Sequence, residues 1–201
     1  MAKNSKPYNR ETALNAALHL FWTKGYHATS LKDLEEALKM KPGSIYAAFK
    51  SKENLYALAL EQYFNTSQAA FYDGVLGSPS PLKGLVGMIR AMGHAKEGER
   101  MRRPCMLIKA VVTATDDTAE TAELARGYRK KMDQNMVAAF EKAQEIGELS
   151  ADADAAAIAQ TYQTDVTGLQ IDAQMGLGEG RFQEKVETVA KRYESLAARS
   201  L

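Results

Sequence analysis

Apolar residues recur along the chain at intervals of three and four, with few alternating β-branched runs, and that rhythm predicts an all-α protein. Residues 1–8 are polar. They precede a first predicted helix of about 15 residues that sets Leu14, Ala17, Leu18 and Phe21 on one face and stops at Gly25. Thr29-Ser30 followed by Asp33 reads as an N-cap with an acid three residues on, opening a short helix that buries Leu31, Leu34 and Leu38. Pro42 fits a first helical turn, where its missing N–H would be unbonded anyway, so a third short helix runs from about Pro42 to Phe49. A fourth starts near Lys52 and reaches about Tyr72, where DGVLGSPSP, residues 73–81, breaks it. Five more are predicted over about 82–98, 104–114, 118–146, 152–176 and 179–198, which makes about nine helices. Two domains follow, 1–56 and 57–201, with the boundary just before or inside the fourth helix.

Composition adds a division of charge. The 201 residues, 45% apolar, can bury one good core or two modest ones. The net charge of +1 hides +4 over residues 1–56 and −3 over the rest, the pattern of a chain whose front meets a polyanion. No run approaches the ~20 apolar residues of a membrane span and the start has no apolar signal core, so a cytoplasmic protein is expected, with no membrane partner. Cys105 is the lone cysteine, which excludes an intramolecular disulfide framework, and His19, His27 and His94 lack metal-ligand spacing. There is no Gly-rich phosphate loop, His-Glu zinc motif or nucleophile elbow, and neither an enzyme nor a cofactor is expected.

The two short helices ending at Leu38 and Phe49 have the proportions of a helix-turn-helix. The second opens with Lys41, Pro42, Gly43 and Ser44, followed by Tyr46 and Ala47, so its backbone can approach base edges, while Ile45, Ala48 and Phe49 can pack inward. Phosphates would be held by Thr29, Ser30, Tyr46 and Lys52, and bases read by Lys41, Ser44 and Ala47. Lys32, Lys39 and Lys50 read equally well as a solvated face.

The block TSLKDLEEALKMKPGSIYAAFKSKENLYALAL, with its aromatic pair Tyr46 and Phe49 and the following Ser-Lys-Glu, resembles the signature of TetR-family repressors over about residues 9–60. The resemblance implies an all-α homodimer with a three-helix DNA-binding domain, a linking fourth helix, and a larger C-terminal ligand and dimerisation domain. It also implies a repressor that a ligand releases from its operator by changing the separation of two recognition helices. The turn usually carries a glycine where this chain has Lys39, and a lysine in a left-handed turn costs about 1 kcal/mol.

In the body, Phe182, Val186, Val189, Tyr193 and Leu196 form a seam that Ala155, Ala159, Tyr162, Val166, Leu169 and Ala173 echo. These two helices are read either as a dimer interface, through Tyr162, Val166, Leu169, Phe182, Val186, Val189 and Tyr193, or as an intrachain core. A dimer would place two recognition helices about 34 Å apart on a near-palindromic operator of double-stranded DNA. Two signals are candidates. Cys105, after Arg102 and Arg103 at a predicted helix start, reads as a thiolate open to oxidants and electrophiles or as an inert buried thiol. Met88, Met92, Tyr128, Met136 and Phe140 read as a pocket for a small-molecule inducer or as core. A helical adaptor that binds only protein is the alternative, though it leaves the basic front unused.

Overall fold

The computed structural model describes residues 9–96 and 98–197, and its named elements are helices. They are α1 (Arg10–Lys24), α2 (Leu31–Leu38), α3 (Pro42–Phe49), α4 (Lys52–Phe71), α5 (Pro81–His94), α6 (Met106–Val112), α7 (Ala119–Glu145), α8 (Ala155–Gln174) and α9 (Glu179–Glu194). Short 3₁₀ turns precede α6 and α7, and a π-helical turn, Tyr72–Leu76, continues α4. Among these residues no helix is long and apolar enough to cross a membrane.

The chain divides into two compact units, one of residues 1–66 and 106–128, the other of 67–105 and 129–201. The first unit thus takes in α6 and the start of α7, which the expected division of the sequence at residue 56 assigned elsewhere. Two links explain the return. The Lys109 ammonium donates to the carbonyls of Trp22 and Thr23 at 3.0 and 3.3 Å, satisfying the end of α1 where last-turn carbonyls lack helical partners. His27 Nε2 lies 3.2 Å from the Thr113 carbonyl and 3.3 Å from the Thr115 hydroxyl.

Local chemistry accounts for the helix starts in the first unit. Asn9 caps α1 by accepting from the amides of Glu11 and Thr12. Ser30 and Asp33 form the expected reciprocal capping box on α2. The Asp33 carboxylate also takes the Lys24 ammonium at 2.6 Å, and these donors, Lys24 foremost and then Ser30, hold its pKa well below the usual carboxylate range. Pro42 begins α3. Lys39 adopts the expected left-handed conformation, φ 54° and ψ 39°, at an intrinsic cost of about 1 kcal/mol relative to glycine.

The second unit is built around one apolar cluster in which Leu85, Ile89, Phe140, Tyr162, Phe182 and Tyr193 are among the most deeply buried members. The tyrosines bring polar tips inside, and each finds a partner: Tyr162 donates to the Leu85 carbonyl and Tyr193 to Asp165, 2.8 and 2.7 Å away. α5 ends at His94, four residues short of the expected end. The buried Arg102 side chain is the reason, since it donates to the Met92 and Gly93 carbonyls while pairing with Glu179 and lying over the Phe182 ring.

Candidate nucleic-acid interface

The second helix of the helix-turn-helix is anchored from within. Ile45 and Phe49 are buried, and the opposite side of α3 exposes Lys41, Gly43, Ser44, Tyr46 and Ala47, with Pro42 half-buried. A β-carbon on Gly43 would meet nothing within 4 Å. The exposed strip is therefore small and shallow at its N-terminal end, as close backbone approach to base edges requires. Tyr46 is the large exposed side chain, 47% accessible, with its hydroxyl free to turn toward a phosphate. Arg10 lies over the Phe49 ring at 5.4 Å from its centre, a cation that the sequence pattern did not single out.

Of the expected phosphate contacts, one turns inward and another rests on an aromatic ring. Thr29 is buried, 1% accessible, and its hydroxyl donates to the Gly25 carbonyl at 2.6 Å, closing the α1–α2 turn. A threonine ahead of a helix reads from sequence as an outward cap, but the adjoining Ser30 takes that role and Thr29 turns inward. Lys52 is half-buried with its ammonium 4.2 Å from the centre of the Tyr26 ring, and burial lowers its pKa. Tyr26, Phe21 and Tyr56 form an aromatic group behind it, in which burial pushes the Tyr56 hydroxyl up to about 12. Ser30 is exposed at the start of α2, its hydroxyl donating to Asp33.

The body residues are redistributed too. Tyr162, Leu169, Phe182, Val186, Val189 and Tyr193 are buried in the second unit's own core, and Val166 is packed against it, so the α8–α9 seam is spent within the chain. Its four–three spacing marks one face of each helix, which the fold uses internally. Of the residues drawn together as a pocket, Met92 and Phe140 are core, while Met88 and Met136 pack on that core. Tyr128 belongs to the first unit, stacked on Phe64 at 4.7 Å. Cys105 is buried, Arg102 is committed as described, and the Arg103 Nε donates to the Gly98 carbonyl at 2.6 Å. Both guanidinium groups expected to stabilise a thiolate are thus engaged with other partners.

Comparison with known proteins agrees with this geometry. Residues 13–59 match the family of bacterial regulatory proteins, tetR family. The chain is 27% identical over 173 residues to the HTH-type transcriptional repressor ComR of Escherichia coli, covering 85% of this chain and 82% of that one. It is 28% identical over 174 residues to the transcriptional regulator AcuR of Cereibacter sphaeroides, covering 83% and 77%. Among solved structures it superposes, at a TM-score of 0.81 and 28% identity, on a cysteine mutant of the TetR-family regulator CifR complexed with 26-base-pair operator DNA, covering 94% of this chain and 98% of that one. A matching N-terminal segment, an all-helical fold shared along nearly the whole length, and a relative held on its operator lead to one assignment: the chain belongs to the TetR family of DNA-binding transcriptional regulators.

Proposed function

We propose that this regulator is a homodimeric repressor that sets α3 of each subunit in successive major grooves of a near-palindromic operator and is released by a small molecule bound in the second unit. The observation that carries the DNA half of this reading is the exposed, small-residue strip Gly43, Ser44 and Ala47, backed by buried Ile45 and Phe49. Ser44 and Ala47 read bases, and Lys41, Ser30 and Tyr46 hold phosphates. Thr29 and Lys52 shape the surface from behind. Selection of bound sites from random DNA tests the reading; it should return an inverted repeat whose half-sites lie about one helical turn apart. An unstructured set of sites would sink it, as would salt-independent binding.

Because the seam residues are internal, the dimer face falls on the outer side of α8, where Gln160, Thr164, Gly168, Ile171 and Met175 are exposed. Ile171 and Met175 are 48% and 78% accessible, large apolar side chains next to a glycine that leaves room for close approach. Ile171→Glu is expected to shift the protein from dimer to monomer in light scattering and to weaken operator binding at least tenfold, since each half-site then binds alone. A variant that stays dimeric would place the interface elsewhere.

The burial of Cys105 and the engagement of its neighbouring arginines favour a non-covalent inducer over a thiol signal. Half-buried Met88 and Met136 supply adaptable side chains beside the core for such a ligand. Cys105→Ser should accordingly bind and leave the operator as wild type does when oxidants or electrophiles are added. A response in wild type that the serine variant lacks would transfer the signal to the thiol.

A further inference from the structure

We propose that Lys39 and Lys50 are phosphate-binding residues that clamp the DNA backbone at the two ends of α3, an inference that rests on the DNA-binding reading above. Among the described residues they are the only non-glycine residues with positive φ, and they flank the same helix. Lys39 occupies the α2–α3 turn at φ 54°. Lys50, between α3 and α4, has φ 66° and ψ −55° and is the centre of a γ-turn closed by the Ser51 amide on the Phe49 carbonyl at 2.8 Å. That hand of γ-turn is the rare and strained one.

The folding requirement at both positions is a backbone free to take positive φ, which glycine meets without cost and asparagine nearly so. A long cationic side chain adds nothing to the fold there: both lysines are exposed, and neither forms an ion pair among the described residues. Lys32 and Lys41 are exposed as well but lie at ordinary negative φ, and three further basic groups of this region are engaged within the fold. Lys24 pairs with Asp33, Lys52 lies on Tyr26, and Lys109 binds the end of α1. Strain kept beside a functional surface, together with a free charge, points to a ligand for that charge. The eight residues of α3 span about 12 Å, close to the ~12 Å width of the major groove, so lysines at its ends fall near the phosphates that border the groove. As mobile point charges they would add affinity without adding sequence preference.

The test uses the full-length protein, random-sequence duplex DNA as probe, and Lys39→Gly, Lys39→Arg, Lys50→Gly and Lys50→Arg. Each glycine variant is expected to melt about 2–4 °C higher as the strain is relieved. Each should also bind the duplex more weakly, with the log–log salt slope shallower by about 1 per contact removed, while the arginine variants keep the wild-type slope. Glycine variants with an unchanged slope would overturn the proposal. So would arginine variants that lose as much as glycine, or glycine variants that melt below wild type, because the lysines would then be serving the fold. A wild-type protein that binds no duplex at any salt concentration overturns the DNA-binding reading itself, an outcome the variants alone cannot produce.

Discussion

Ala47→Glu should lose at least a hundredfold in operator affinity while melting within about 1 °C of wild type. The side chain at position 47 is exposed, and α3 is held by Ile45 and Phe49 on its other side, so glutamate, a good helix former, costs the fold almost nothing. What changes is the surface offered to a polyanion. A carboxylate three residues from Ser44, on the same helical face, meets the acceptor-rich base edges and the flanking phosphates in both half-sites at once. Like charges brought together in this way cost several kcal/mol. Ala47→Gln separates charge from shape, because a neutral amide should alter base preference while retaining much of the affinity. Fluorescence anisotropy against a selected operator measures both, and undiminished binding by the glutamate variant would show that α3 does not enter the groove.

Gly84→Ala should be the most destabilising small substitution in the second unit, costing about 3 kcal/mol and lowering the melting temperature by about 6–12 °C. A β-carbon at this position would lie 2.4 Å from the Gly74 carbonyl oxygen and 3.1 Å from the Val75 α-carbon. Both are backbone atoms of the π-helical turn and cannot swing aside as the end of a side chain would. Relief therefore requires α5 to move off that turn, parting Leu82 and Leu85 from Val75 in the core. Gly87 supplies the control one turn later, where a β-carbon would meet nothing within 4 Å and alanine should stabilise by up to about 1 kcal/mol. Thermal melts of the two variants decide the matter; similar melting temperatures would refute the close approach.

The readable parts of the fold were those written in local chemistry. The Ser30–Asp33 box, Pro42 at the start of α3 and Gly25 after α1 each act within a few residues, and α1 ends, and α2 and α3 begin, where these signals place them. Features set by distant partners were not readable. Nothing near His94 announces that Arg102 will take the carbonyls of Met92 and Gly93. The α8–α9 seam has one periodicity whether its partner is a second chain or the core of its own, and the choice turns on how the whole second unit closes. The same holds at the interface. The strip Ser44, Tyr46 and Ala47 followed from helical spacing, whereas the inward turn of Thr29 depends on the path of the turn that presents the Gly25 carbonyl, and the seating of Lys52 on Tyr26 on a group brought in by tertiary packing.

The return of residues 106–128 to the first unit bears on how the protein is made. On the ribosome the helix-turn-helix emerges early, yet Lys109, His27's partners Thr113 and Thr115, and the Tyr128 ring that stacks on Phe64 follow only after the 39 residues of 67–105. Until then the last carbonyls of α1 lack the Lys109 ammonium and Phe64 lacks the Tyr128 ring. The DNA-binding unit is therefore finished only once more than half of the chain has been synthesised. A nascent or truncated regulator ending before residue 106 would carry its recognition helix on an incomplete support.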